Sequence, residues 1–327
     1  MAKTASALTS GNTVVLKPSI QTPLATLYFA RICTKYLPAG VFNVITGTGG
    51  EAGDMLCRHP LVKHITFTGS TEAGRSVMMA GAERLVSTTL ELGGKNPQIV
   101  FPDADDDQVA EGVIKAARYT VCGQSCFSGT RVYVHESIYQ SFLEKMVKRT
   151  NQYNIGDPLD ESTDIGPLVG KEQFEKVLSY IANGINQPGV RVMTGGMPPA
   201  KGPLTKGYYI KPTILADVQQ DWRVAREEIF GPVTCVMPWR DEDDVVRKAN
   251  DSIYGLSGFV WTYNIGKALR TAHAIESGWI QVSQFTGLAP GQTYGGYKMS
   301  GVGKEWSLKS MVDTMTQEKV VTVGLKV

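Results

Sequence analysis

Little in this sequence points to a metal, a membrane or a nucleic acid. The four histidines (His59, His64, His135 and His273) show no ligand spacing, and Cys122 with Cys126 lacks a second cysteine pair, so no bound metal is expected. No apolar run approaches the ~20 residues that a bilayer requires, so no membrane span is expected. The amino terminus lacks the basic-then-apolar order of a secretion signal. Net charge is only +2, which gives neither nucleic acid nor an anionic lipid surface a reason to bind. Five scattered cysteines (Cys33, Cys57, Cys122, Cys126 and Cys235) are an odd number. They argue against a disulfide framework and for a reducing compartment, here taken as cytoplasmic.

What is present suits a soluble α/β protein. The 327 residues make room for two domains, and 42% hydrophobic with 20% charged residues is ordinary for a globular chain. The 35 glycines cluster between apolar runs, as many βα turns would require. β-rich runs at 13–17, 41–45, 64–68 and 86–90 alternate with helical patterns at 23–36, 51–57 and 71–80, the order of a parallel, doubly wound sheet. Residues 1–10 read as the middle of a helix without a cap, so something upstream is expected to be missing. Farther on, helices are expected at 103–119, 138–147, 171–183, 241–250, 265–276 and 304–311. Strands are expected at 98–101, 131–135, 190–194, 211–215, 233–237, 258–261, 278–282 and 320–323. Two glycine-rich stretches, 195–203 and 291–303, read as loops.

The chemistry concentrates in a few stretches. Leu90-Glu91-Leu92-Gly93-Gly94-Lys95-Asn96-Pro97 ends a β-prone run on a carboxylate and then turns tightly. Glu91 reads either as an exposed strand-end acid or as a base pointing into a cleft. Gly123-Gln124-Ser125-Cys126 carries a thiol among small, non-core residues. Cys126 is either a small buried hydrophobe or a nucleophile that needs a nearby base or a lowered pKa. Cys122, flanked by apolar residues, reads as structural. Gly69-Ser70-Thr71-Glu72-Ala73-Gly74 follows a strand and opens a helix, an arrangement suited to a diphosphate or simply to a βα turn. Gly47-Thr48-Gly49-Gly50-Glu51-Ala52-Gly53 is similar to a dinucleotide fingerprint.

Taken together, the Glu91 and Cys126 stretches resemble the glutamate and cysteine motifs of the aldehyde dehydrogenase superfamily. Four further stretches match it in order: 11–19, 67–71, 228–232 and 295–301. The resemblance implies an aldehyde-dehydrogenase-like α/β fold: a partial Rossmann-type cofactor domain (1–93), an α/β catalytic domain (94–299) and a return segment with an oligomerisation strand (300–327). It implies oxidation of an aldehyde to a carboxylic acid with NAD or NADP, in a homo-oligomer. Cys126 would attack the carbonyl, and Glu91 would activate the water that hydrolyses the resulting thioester. Lys17 would bind the adenine-side ribose, Gly69 and Ser70 would touch the diphosphate, and Gly49, Thr71 and Gly74 would also belong to the cofactor site. Glu228 and Phe230 would position the nicotinamide end, and Lys3 and Glu305 would relay protons from Glu91.

The chain departs from the family pattern at several points. Family members carry a large segment ahead of the position matching Met1, including a sheet strand and an asparagine that donates to the oxyanion. A shortened, catalytically impaired chain with only a binding or assembly role, or an incomplete gene model, is therefore the alternative reading. Ile20 stands where many members have a glutamate that grips the ribose, which leaves NAD and NADP both open. Ala2, Val121, Phe127, Ser283 and Tyr294 alter the substrate tunnel, so the aldehyde is not fixed by the resemblance. A cofactor-free thiol acyltransferase or hydrolase would leave Lys17, Ser70 and Glu228 without purpose.

Overall fold

A computed structural model describes residues 2–198, 202–289 and 291–325; position 1, the middle of the 195–203 loop, position 290 and the last two residues lie outside the described part. The chain divides into two compact units. The first comprises Met1–Glu91, Leu288–Gly295 and Val302–Val327, and the second Leu92–Gly287 and Gly296–Gly301.

In the first unit, α1 (Ala2–Thr9) leads to β1 (Val14–Leu16), α2 (Leu24–Cys33) and β2 (Phe42–Val44). A π-helical turn (Gly49–Gly53) then enters α3 (Asp54–Arg58), followed by β3 (His64–Thr68), α4 (Thr71–Glu83) and β4 (Ser87–Glu91). Thr48 starts the π turn by accepting from the Glu51 N–H at 3.2 Å, and Ser70 caps α4 by accepting from the Ala73 N–H at 3.2 Å. The expected β/α alternation is present, and β1–β2 and β3–β4 each pair in parallel. The single doubly wound sheet is not: β1 and β2 form one sheet, and β3 with β4 belongs to another. β-branched runs fix where strands form, whereas which edges meet is a long-range property that no single run encodes. None of the residues of α2 is buried, and Leu24 remains 78% exposed.

The second unit is built on a seven-stranded sheet. Its strands are β5 (Asn96–Val100), β6 (Gly129–His135), β7 (Arg191–Thr194), β8 (Thr213–Ala216), β9 (Val233–Trp239), β11 (Ser257–Trp261) and β12 (Trp279–Val282). Their order is β12-β11-β5-β6-β9-β8-β7, parallel except for the β7–β8 pair. Between the strands run α5 (Asp107–Ala116), α6 (Tyr139–Thr150), α7 (Lys171–Ile185), the single turn α8 (Arg223–Arg226), α9 (Glu242–Asn250) and α10 (Ile265–Ala274). β5, β8 and β11 are buried at every position, as strands covered on both faces must be, and the polar Asn96 and Gln98 of β5 and Ser257 of β11 are buried with hydrogen bonds to main-chain groups. Ile99, Val132, Leu143, Ile214, Val236 and Phe259 belong to one continuous core. The helix expected from position 103 begins at Asp107, because Asp106 caps it by accepting from the Val109 N–H at 2.8 Å. Asp103 instead accepts from the Thr262 hydroxyl at 2.8–2.9 Å and the Tyr263 N–H at 3.0 Å. A short β10 (Tyr254–Gly255) pairs antiparallel with β13 (Tyr297–Lys298).

The chain returns through β14 (Gly301–Val302), which completes a three-stranded sheet with β4 and β3, and ends in α11 (Leu308–Met315). The helix expected at 304–311 thus starts later, because Ser307 and Ser310 form a capping box and Glu305 bridges to Tyr294. The strand expected at 320–323 is absent: residues 316–325 form no ladder, and Val320 and Val323 are 86% and 70% exposed. Its alternating apolar pattern suits a strand, but without a bonded edge an extended segment is not one.

Candidate active site

The thiol-bearing segment is held by its backbone. β5 contributes Asn96, whose side-chain amide donates to the Cys126 carbonyl at 2.9 Å and to the Ser128 carbonyl at 2.8 Å. Its oxygen accepts the Ser257 N–H at 3.0 Å. One buried side chain therefore ties the cysteine backbone to two strands of the sheet. Gly94 must be glycine: a Cβ there would stand 2.4 Å from the Cys126 carbonyl oxygen. Gly123 has φ +63°, and a Cβ would lie 2.2 Å from the Gly231 carbonyl oxygen, so both conformation and space select glycine. Cys126 is half-buried, consistent with a thiol that reagents can reach. Cys122 is buried, its thiol donates to the Gly166 carbonyl at 3.2 Å, and burial raises its pKa to about 11, so it is the inert cysteine of the two.

Glu228 lies in the same unit. Its Oε1 accepts the Gly94 N–H at 3.1 Å, while burial raises its pKa and that hydrogen bond works against the rise. A Cβ on Gly93 would fall 2.2 Å from Glu228 Oε2. Phe230 holds a left-handed backbone (φ 55°), and Gln173 donates to the carbonyls of Ile229 and Phe230 at 3.0 and 2.9 Å. Gly94, Gly123, Ser125, Glu228 and Phe230 line one small cavity of this unit. Lys95 is wholly buried with its Nζ lacking a hydrogen-bond partner, and burial lowers its pKa to about 8.

The first unit gathers the other expected residues. Glu91 ends β4, and both its carboxylate oxygens are buried without a hydrogen-bond partner. Burial, followed by the nearby Glu305 charge, raises its pKa to about 7, with Lys3 and Lys304 acting in the opposite direction. Lys3 pairs with Glu305, and its ammonium also donates to the Thr66 hydroxyl at 3.0 Å. Thr66 in turn donates to Glu305 at 2.9 Å. Lys3, Thr66 and Glu305 form one closed set whose charges reach Glu91, the set a proton relay would need.

The cofactor candidates sit at the carboxyl ends of the parallel strands, where open α/β sheets bind ligands. Lys17 directly follows β1, and its ammonium donates to the Pro18 carbonyl at 2.7 Å and the Gly47 carbonyl at 3.4 Å. Gly49 opens the turn after β2, with open space where a Cβ would be. Gly69, Ser70, Thr71 and Gly74 form the β3–α4 junction, where the first N–H groups of a 13-residue helix are offered to an anion. Gly69 also has a local reason to be glycine, since a Cβ would meet the Phe67 ring at 2.5 Å. A lysine, a helix amino terminus and glycines at strand ends match the chemistry of a dinucleotide's ribose and diphosphate.

Sequence reasoning missed Asn96, Gln173 and Thr66. Asn96 was visible inside the glutamate motif, but its partners lie 30, 32 and 161 positions away.

The aldehyde dehydrogenase family model matches residues 1–321. The chain belongs to the aldehyde dehydrogenase family. It is 43% identical over 321 residues to the mitochondrial aldehyde dehydrogenase of Leishmania tarentolae and 42% identical over 323 residues to a hydroxyisobutyraldehyde dehydrogenase of Mycolicibacterium austroafricanum. Each match covers 98% of this chain and 63% of the relative, so the chain spans less than two thirds of these relatives' length. Among solved structures, the NAD+ complex of aldehyde dehydrogenase from Bacillus cereus superposes with a TM-score of 0.94 at 38% identity, over 99% of this chain and 65% of that one. Betaine aldehyde dehydrogenase from Staphylococcus aureus, also in complex with NAD+, gives 0.91 at 33% identity over 98% of this chain and 65% of that one. The fold is thus the aldehyde-dehydrogenase-like α/β fold.

Proposed function

We propose that this aldehyde dehydrogenase family member oxidises an aldehyde to a carboxylic acid with NAD+ or NADP+. The observation that carries the reading is Glu91: a buried carboxyl whose pKa lies near 7 is a base that works at neutral pH. In this reading the Cys126 thiolate adds to the aldehyde carbon, and the acyl group is held on sulfur as a thioester. The nicotinamide, when bound, supplies the hydride acceptor. Glu91 takes a proton from water as its oxygen attacks the thioester, and the carboxylic acid leaves while Cys126 is restored. Lys3, Thr66 and Glu305 pass that proton onward. Lys17 and the β3–α4 junction hold the ribose and diphosphate, and Glu228 and Phe230 orient the nicotinamide end. The exposed tail 319–323 is proposed to pair with a second copy of the chain, which light scattering of tail-deleted protein tests.

Incubating the purified chain with a panel of aldehydes and either cofactor should give reduced nicotinamide, and Cys126→Ser should abolish it. Glu91→Gln should accumulate an acyl adduct on Cys126, visible by mass. No reduced nicotinamide and no adduct would sink the reading. A second reading, a chain that binds cofactor without turnover, is favoured by the divided sheet of the first unit. Calorimetric NAD+ binding without product formation would select it.

A further inference from the structure

Arg118 is a cation that the aldehyde chemistry does not use. It stands eight positions before Cys126, just past the end of α5, on a left-handed backbone (φ 61°) that non-glycine residues rarely adopt. The Arg118 carbonyl accepts the Val121 N–H at 3.1 Å and the Gly123 N–H at 2.9 Å, so the arginine is anchored to the loop that leads into the cysteine. Its guanidinium lies 5.3 Å from the ring centroid of Phe127, the residue after Cys126, and 5.5 Å from that of Phe285. Each ring also packs on another, Phe127 edge-to-face on Trp279 and Phe285 at a tilt on Phe259. Among the described residues no carboxylate comes within ion-pair distance of Arg118, and its Nε is buried without a hydrogen-bond partner. Burial lowers the Arg118 pKa, and the Cys126 thiol, once ionised, is close enough to work against that fall.

A guanidinium braced between aromatic rings, lacking a protein anion and set beside a nucleophile, is prepared for an anion that arrives with the reactant. We propose that Arg118 is a specificity-determining residue that recruits aldehydes bearing a carboxylate, pairing with that second group while Cys126 meets the carbonyl. The inference rests on the reading of Cys126 as the nucleophile. A neutral aldehyde would leave the guanidinium unpaired, and discrimination of about tenfold corresponds to 1.36 kcal/mol.

The test uses the full chain and requires no turnover. Cys126 is alkylated with iodoacetate, an anion, or with iodoacetamide, its neutral counterpart, and the adduct on the Cys126 peptide is followed by mass spectrometry. The ratio of the two rates cancels changes in thiol acidity and exposure. At low salt the wild-type ratio should exceed that of Arg118→Met by about five- to tenfold, with Arg118→Lys in between, and 0.5 M salt should lower the wild-type ratio by a few fold. The salt arm needs no variant, so a misfolded Arg118→Met still leaves a result. A ratio that neither the substitution nor salt moves overturns the proposal, even if both rates fall together, because that would make Arg118 only an activator of the thiol. A chain that reduces no nicotinamide still answers here, so failure of the aldehyde reading and failure of this one are told apart.

Discussion

The two units of this chain fold by the same β/α grammar to different ends. In the second, seven strands share one sheet, and Ile99, Val132, Ile214 and Phe259 are wholly removed from water. In the first, β1 with β2 and β3 with β4 and β14 form two small separate sheets, no residue of α2 is fully buried, and Leu24, Met55, Leu61 and Leu85 are each at least 74% exposed. The lesson concerns where stability and chemistry reside. Cys126, Glu228 and Phe230 are supported by the unit with the continuous core, whereas Glu91, Lys17, Gly49 and the β3–α4 junction ride on the unit with little core of its own. Burial at ~25 cal/mol per Å² stabilises the former far more than the latter.

The contrast is sharpest for core truncation. Phe259→Ala should cost about 3–5 kcal/mol in denaturant melts, while Leu24→Ala should cost no more than about 0.5 kcal/mol. Equal costs would break the comparison. Next, Gly123→Ala should cost several kcal/mol, since it combines a left-handed backbone with a Cβ 2.2 Å from a carbonyl oxygen. Its other expected effect is faster, less selective alkylation of Cys126 by iodoacetamide, and unchanged stability and reactivity would contradict the account of that loop. Asn96→Ala should cost about 1–3 kcal/mol by stranding the buried Ser257 N–H and two carbonyls, and chemical denaturation of the variant measures it.

The contrast also extends to a pH dependence in the first unit. Burial raises Glu91 to about 7 from an ordinary 4.5, so the folded chain keeps a proton that the unfolded chain has lost. The stabilisation is therefore fully present below about 4.5, declines as pH rises, and is lost once pH passes about 7. Glu91→Gln, which cannot ionise, should raise the melting temperature relative to wild type at pH 8 and leave it nearly unchanged at pH 4.5. Parallel melting curves at both pH values would contradict this.

Much of this organisation was legible in local sequence. The run at 64–68 became β3 without a shift of boundary, and Cys122 proved buried as its apolar flanks imply. Local signals also misled. Residues 103–106 look like a helix start, yet only Asp106 caps, because Asp103 is engaged by Thr262 on a distant segment. The tail at 320–323 has strand composition, yet it pairs with no strand among the described residues. At Gly69, read as a phosphate contact, the Phe67 ring gives a second, local reason for glycine that the sequence did not show. Asn96 escaped notice because its role depends on strands that meet only after the sheet closes. Arg118 had no local signature at all, since its rings come from positions 127 and 285.

The Asn96 amide also makes the thiol a strain gauge. Because one side chain ties the Cys126 carbonyl to β5 and to the first residue of β11, the loop cannot loosen by itself; its fluctuations are those of the sheet. Thiol reactivity, taken relative to a free thiol at the same temperature, should then stay flat on warming and rise only as the seven-stranded sheet opens. Cys126 would report the cooperative unfolding of its own unit, and would fall silent about the melting of the other.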